Sequence, residues 1–240
     1  MLGFWDYTVI LTYISFASGS IGIFCAVSKH VQWAVFWLAC SGLCDLFDGR
    51  IARTKKNRTD DEKNFGIQID SLCDLVCFGL LPMVICYQCG MRRFFSVAVL
   101  TMYGLAGLVR LAFFNVMEQK RQTETDADKE YYQGLPITTM AIALPLLYIL
   151  SPLLVISHHE FLVLLHILVM VVGALFIVDF KLQKLTVMKM LLLAAVAAAG
   201  IIVFVFVARS MGGGIFKSGR SIIFNHTANM VHIYQLHKYF

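Results

Sequence analysis

Long hydrophobic stretches separated by short polar segments run through most of the chain. A helix of roughly 17 to 25 apolar residues crosses about 30 Å of hydrocarbon. Runs of this length lie at 8–28, 31–49, 67–87, 94–114, 136–156, 161–178 and 187–208. Because a spanning segment must satisfy its backbone polar groups internally, such runs predict helices. The pattern therefore predicts an all-α, polytopic transmembrane helix bundle with seven spans, within a range of about six to eight.

Composition agrees with a bilayer as the surrounding solvent. Hydrophobic residues make up 59% of the chain and charged residues 15%, and the mean hydropathy is +0.74. These values exclude an ordinary soluble domain. No Pro/Ser-rich linker and no repeat divides the chain, so we expect one transmembrane domain over residues 1–208, followed by a tail, 209–240, of unknown role.

Basic residues concentrate in two loops. The loop at 50–65 carries six lysines or arginines, and the loop at 115–134 carries three. Short loops rich in Lys and Arg stay on the cytoplasmic side of a membrane. We therefore expect a multi-pass integral membrane protein whose first basic loop, with the carboxylates that flank it, faces the cytoplasm.

Four aspartates flank that first loop, in the segment CDLFDGRIARTKKNRTDDEKNFGIQIDSLCD. Asp45 and Asp48 are three apart on one predicted helix, and Asp70 and Asp74 are four apart on the next, so each pair shares a helix face. Each carboxylate inside a spanning helix costs at least about 2.5 to 3.5 kcal/mol, which makes a functional site the default explanation. Converging carboxylates need cations between them, and oxygen-only ligands suit Mg²⁺ or Mn²⁺. The spacing predicts a site for two metal ions, whereas the acids at 60–62 should be solvated.

Three residues beside the carboxylates favour a phosphate ligand. Arg53 follows Asp48 by five residues, close enough to meet a phosphate that the metals also hold. Gly49 removes a side chain and lets a ligand approach the helix backbone. Ala52 keeps the same face open.

The pattern D-x2-D-G-x2-A-R, starting at Asp45, followed by G-x3-D-x3-D, starting at Gly66, resembles the signature of the CDP-alcohol phosphotransferases. The resemblance implies that the first three aspartates ligate divalent metals, and that Asp74 lies near the metals and acts as general base. It also implies that the nucleotide is held by Gly49, Arg53 and, from the first helix, Thr12.

Further segments are similar to phosphatidylserine synthases: DSLCDLVCFGLLP, VRLAFFNV and QGLPITTMA. This likeness implies CDP-diacylglycerol and L-serine as substrates, a membrane-lipid product, a homodimer and no nucleic-acid partner. Arg110 lies in the inner part of a predicted span, where an unpaired cation is costly, so it should meet an anion such as a phosphate or the serine carboxylate. Asn115 could add a hydrogen bond to the polar substrate.

Two alternatives remain open at this point. The first keeps the chemistry but uses inositol, inositol phosphate or glycerol phosphate as acceptor, and a phosphorylated acceptor would require more basic residues than the few near Arg110. The second is a divalent-cation transporter that uses the aspartates as its ion path. Arg53 and Gly49 beside the carboxylates argue against the transporter, which would move metal without releasing CMP.

Overall fold

Seven α-helices account for most of the described chain. The computed structural model describes residues 7–52, 55, 59–123, 131–153, 157–179 and 181–183. The helices are α1 (Ile10–Val27), α2 (Val31–Ala52), α3 (Asp60–Asp74), α4 (Leu81–Cys89), α5 (Phe94–Thr123), α6 (Met140–Leu153) and α7 (His158–Ile177). Short 3₁₀ turns precede α1 and α6, at Tyr7–Val9 and Ile137–Thr139. A π-helical turn, Leu75–Leu80, joins α3 to α4.

The helical membrane architecture predicted from hydropathy is confirmed. Four helices are long and apolar enough to cross a membrane: α1, the continuous 30-residue helix Asp60–Cys89, α5 over Phe94–Gln119, and α7; the apolar helix Ile137–Ser151 is shorter. The predicted span 187–208 and the boundary at 208 lie outside the described residues. The total number of spans therefore stays a prediction.

Two helices extend beyond the apolar runs that predicted them. The predicted span 94–114 continues as helix to Thr123, and the span predicted at 67–87 begins at Asp60. Hydropathy detects only the part of a helix that lies in hydrocarbon, so polar turns that continue a helix past the membrane are missed.

The start of α3 is specified by local chemistry. Glu62 N–H donates to Thr59 Oγ1 at 3.2 Å, and Thr59 N–H donates to Glu62 Oε2 at 3.0 Å. This reciprocal capping box satisfies two backbone donors at the helix start. Asp60 and Asp61 are exposed in the same turn, as predicted for solvated charge, and Glu62 also pairs with Lys55 at 3.1 Å. Negative charge here complements the helix dipole.

The π turn lies immediately after Asp74, and Pro82 is the second residue beyond its end. Proline has no N–H, so Pro82 cannot donate to the carbonyl of Phe78 four residues earlier. The hydroxyl of Tyr103, a buried residue of α5, donates to that carbonyl instead. The irregular turn is thereby held by a side chain from a neighbouring helix.

Small residues let the helices approach closely at Gly19, Gly22 and Gly104. A methyl group added at Gly19 would lie 2.4 Å from Cys77 Sγ, one at Gly22 would lie 2.8 Å from Leu81 Cδ2, and one at Gly104 would lie 2.7 Å from a methionine sulfur. Packing against small residues is a general means of helix association in membranes. These contacts bring α1 against the segment that carries Asp74.

The structure adds one element that hydropathy did not predict. Tyr131–Gln133 (β1) pairs antiparallel with Lys181–Gln183 (β2). This short ribbon links the segment after α5 to the segment after α7, and the protein remains all-helical in class.

Candidate active site

The predicted carboxylates converge between α2 and α3. Carboxylate oxygens of Asp45, Asp70 and Asp74 all lie within 4.8 Å of one another. Asp48 lies one turn beyond Asp45 and is 7% exposed, and its carboxyl lies close to that of Asp70. The carboxyl of Asp45 lies close to those of both Asp70 and Asp74.

The antiparallel course of α2 and α3 explains these two pairs. Because α3 follows α2 after a short connection, a position further along α2 faces an earlier position on α3. Asp45 therefore faces Asp74, and Asp48 faces Asp70. A spacing of three on one helix and four on the other, each about one helical turn, keeps both pairs in register.

Electrostatics make this cluster a site for cations. Asp74 is 8% exposed, and within the described part of the chain no lysine or arginine forms an ion pair with Asp45, Asp70 or Asp74. Close carboxylates in a medium of low dielectric repel strongly. Hard divalent cations with oxygen ligands relieve that repulsion, so the donor set fits Mg²⁺ or Mn²⁺.

A layer of hydroxyl and thiol groups lies one turn deeper and fastens three helices together. Ser15 Oγ donates to the carbonyl of Ser41 at 3.1 Å, which joins α1 to α2. Cys77 Sγ donates to the carbonyl of Ser15 at 3.4 Å, which joins the helix carrying Asp74 to α1. Cys73 Sγ lies 3.8 Å from Cys77 Sγ. These connected contacts hold α1, α2 and the helix that carries Asp74 together, one turn away from the carboxylates.

Helix α1 contacts the segment that carries Asp74 through Thr12, whose contact with the nucleotide stays a prediction. The carbonyl of Thr12 accepts a hydrogen bond from Cys73 Sγ at 3.4 Å, one residue from Asp74. The Thr12 side chain is 4% exposed, and its hydroxyl has no hydrogen-bond partner among the described residues. A buried hydroxyl beside the carboxylates is therefore available to a ligand.

The structure describes only some of the remaining signature residues. Gly49 and Ala52 belong to the last turn of α2, and Gly66 belongs to α3. Arg53 lies outside the described residues, so its predicted contact with a phosphate stays a prediction.

Asn115 reaches the site through a residue that the sequence analysis did not single out. Ser71 Oγ donates to Asn115 Oδ1 at 2.6 Å, joining α3 to α5 directly beside Asp70. In the sequence, Ser71 resembles an ordinary spacer between two acids. Its partner lies 44 residues away, so no local pattern indicates the contact.

Arg110 faces the entrance to α6. Its side chain is 8% exposed, its Nε donates to the carbonyl of Leu135 at 3.1 Å, and its guanidinium lies 5.9 Å from the centre of the Phe114 ring. Gly134 adopts φ of +70° beside it, and a methyl group there would lie 3.5 Å from Arg110 Nε. Arg110 thus fastens α5 to the segment at 134–136. An anionic ligand of Arg110 stays a prediction.

Comparison with known proteins agrees with the site. The CDP-alcohol phosphatidyltransferase family profile matches residues 7–178. A CDP-diacylglycerol–serine O-phosphatidyltransferase of Saccharomyces cerevisiae is 34% identical over 161 residues, which are 62% of this chain and 57% of the relative. The Helicobacter pylori (strain 26695) protein of the same name is 32% identical over 144 residues, 59% of this chain and 56% of the relative.

An archaetidylserine synthase of Methanothermobacter thermautotrophicus is 28% identical over 141 residues, 58% of this chain and 56% of the relative. The chain thus spans a little over half the length of these three curated relatives. The matched family region contains α1 to α7 and all four aspartates. The chain is an integral membrane protein that belongs to the CDP-alcohol phosphatidyltransferase family.

Proposed function

We propose that this protein transfers the phosphatidyl group of CDP-diacylglycerol to L-serine, giving phosphatidylserine and CMP. The pairing of Asp45 with Asp74 and of Asp48 with Asp70 is the observation that carries the proposal. Four acidic oxygen donors close together can hold the metal ions that would neutralise a pyrophosphate, which supports the proposal. Family membership favours this transfer over cation transport.

Serine as the acceptor is supported by the relatives. The yeast and Helicobacter proteins are named for diacylglycerol lipids, and the archaeal protein is named for an archaetidyl lipid. Serine is common to all three names although the lipid differs. Inositol, inositol phosphate and glycerol phosphate are the competing acceptors, and the experiment below separates them.

Asp74 is the proposed general base. It is the more deeply buried member of its pair, and it lies where α1, α2 and α3 meet. Its carboxylate removes the proton of the serine hydroxyl. The serine oxygen then forms a bond to the phosphorus that carries the diacylglycerol, the bond from that phosphorus to the CMP oxygen breaks, and CMP leaves.

The other three aspartates would bind the metal ions that neutralise negative charge during the reaction. Asp45, Asp48 and Asp70 would ligate two divalent ions, Mg²⁺ or Mn²⁺, together with Asp74. When bound, these ions supply neutralisation of the pyrophosphate and of the departing CMP. Gly49, Arg53 and the Thr12 hydroxyl hold the nucleotide.

Asn115 and Arg110 form the proposed acceptor side of the site. Ser71 donates to Asn115 Oδ1, so the two N–H groups of the amide remain available to a carboxylate or hydroxyl oxygen. Arg110 would supply a positive charge for the serine carboxylate. We propose that the site faces the cytoplasm, because the basic loops at 50–65 and 115–134 adjoin it, and that the enzyme is a homodimer.

Release of CMP by the purified protein tests this function. The full chain in detergent receives CDP-diacylglycerol and Mg²⁺ or Mn²⁺, with serine, inositol, inositol phosphate or glycerol 3-phosphate supplied separately. We expect release with serine only, and a loss of more than about 10²-fold for Asp74→Asn. Asp61→Asn, an exposed acid on the same helix, is the matched control and should retain activity.

Three other results would each contradict one part of the proposal. Release with another alcohol alone would replace serine as the acceptor. Equal activity of Asp74→Asn and Asp61→Asn would remove Asp74 as the base. Metal flux through vesicles without any CMP release would favour the transporter.

A further inference from the structure

An open cleft lies at the end of the bundle opposite the carboxylates. It has a volume of about 370 Å³ and is formed by Arg93, the start of α5 and residues 163–170 of α7. Gly90, which ends α4, is 16 residues beyond Asp74, and none of the four aspartates lines the cleft. The cleft is separate from the proposed reaction site.

Apolar side chains open to the surroundings form the walls of the cleft. Phe95 is 66% exposed, Val163 44%, Ile167 48% and Met170 44%. Both helices are long and apolar enough to span a membrane. In a membrane these side chains contact lipid rather than water, so a hydrocarbon chain is the chemistry that matches the walls.

A polar pair lies in the wall between the two helices. His166 Nδ1 is 2.7 Å from the carbonyl of Leu162, and Ser96 Oγ is 2.9 Å from His166 Nε2. A carbonyl only accepts, so Nδ1 carries the proton, and in a neutral ring Nε2 accepts from the serine hydroxyl. Ser96 is 5% exposed, so this pair is satisfied within the protein and fixes the start of α5 to α7 behind the apolar wall.

A cation with no protein partner stands at the rim. Arg93 lines the cleft and is exposed, and its guanidinium makes no hydrogen bond or ion pair with any described residue. The neighbouring Arg92 differs. Its guanidinium donates to Gln88 Oε1 at 2.9 Å and lies over the Tyr87 ring at 5.6 Å. The two adjacent arginines are thus distinguished by geometry, one engaged by the protein and one directed at the cleft.

We propose that this cleft binds an anionic phospholipid from the leaflet opposite the carboxylate cluster. The phosphate pairs with Arg93, and one acyl chain follows the apolar wall past Ile167. A positive charge at the rim and an apolar wall beyond it occur in the order in which such a lipid presents its phosphate and its chain. A zwitterionic lipid lacks the net charge that Arg93 complements.

Photocrosslinking with phosphatidylglycerol that carries a diazirine on one acyl chain tests the proposal. The full chain in detergent is irradiated with this lipid, and the labelled peptides are mapped by mass spectrometry. We expect labels within 94–97 and 163–170. Loss of one basic contact should weaken binding about fivefold, so Arg93→Gln should bind phosphatidylglycerol about fivefold more weakly, and Arg92→Gln should bind like the unaltered protein.

A second variant tests the acyl chain rather than the charge. Val163→Trp fills the cleft from an exposed position and should reduce labelling by both phosphatidylglycerol and phosphatidylcholine. Equal effects of the two arginine variants, or labels confined to other helices, would each overturn the proposal. Coverage of the cleft by a second copy of the chain, seen as protein–protein crosslinks without lipid labels, would overturn it as well. None of these outcomes depends on the identity of the acceptor alcohol.

Discussion

Replacing Gly19 with alanine should displace the helix segment at Cys77 and thereby disturb the carboxylate site one helical turn away. The added methyl would lie 2.4 Å from Cys77 Sγ and 3.3 Å from Cys77 Cα. Non-bonded heavy atoms settle at roughly 3.5 to 4.0 Å. The contact with Cα involves backbone and requires a shift of only a few tenths of an ångström. The contact with the sulfur requires either a shift of the helix by about 1 Å or a rotamer change that breaks the hydrogen bond from Cys77 Sγ to the carbonyl of Ser15.

Stability and activity should both fall. Overpacking costs about 1 to 3 kcal/mol, which exceeds the gain of at most about 1 kcal/mol from a better helix former. Asp74 lies three residues before Cys77 on the same helix, so the displacement separates it from Asp45. Misplacement of a catalytic group by about 1 Å costs up to about 10²-fold in rate. We expect a lower midpoint of thermal unfolding in detergent and a CMP release rate reduced by about one to two orders of magnitude.

Two companion variants make the test specific. Ser20→Ala changes the neighbouring residue of α1 and should affect neither property. Cys77→Ala combined with Gly19→Ala removes the sulfur atom and should restore most of the lost rate. If Gly19→Ala proves as stable and active as the unaltered protein, or if Cys77→Ala restores nothing, the close approach of α1 to Cys77 does not govern the site.

Three further substitutions test separate parts of the structure. Asp48→Asn removes a carboxylate from one pair and should raise the Mg²⁺ or Mn²⁺ concentration for half-maximal CMP release about tenfold or more; an unchanged metal titration would contradict its role. Ser71→Ala frees the Asn115 amide to rotate and should raise the KM for serine several-fold while the KM for CDP-diacylglycerol stays constant; equal changes in both would indicate a structural role only. Tyr103→Phe leaves the carbonyl of Phe78 without its donor and should lower the free energy of unfolding by about 1 to 3 kcal/mol, measured in detergent, with the metal titration unaffected.

The carboxylate site could be predicted from the sequence because its geometry is local. A spacing of three or four residues places two side chains on one helix face, and a short loop between the two helices forces them to run antiparallel. Together these facts bring Asp45 to Asp74 and Asp48 to Asp70. The family signature adds the chemistry, and the profile match over 7–178 confirms the family.

Contacts between distant segments could not be predicted in the same way. Ser71 and Asn115 meet only because α3 and α5 pack together, and no periodicity relates positions that are 44 residues apart. The burial of Arg110 was foreseen from its position in the span, but its bond to the carbonyl of Leu135 depends on how the chain re-enters the membrane at 134–136. The positive φ of Gly134 could not be predicted either, because Gly134 lies beside this same contact of Arg110.

The π turn at Leu75–Leu80 has a consequence for how related chains are compared. One extra residue in a helical turn rotates every later side chain by about 100° relative to a regular helix. Which residues of α4 face lipid and which are buried therefore depends on how many residues lie between Asp74 and Leu81. It does not depend on which residue types these are. An alignment that opens a single gap in this stretch would equate buried positions of one protein with lipid-facing positions of another, although the aspartates before it stay matched.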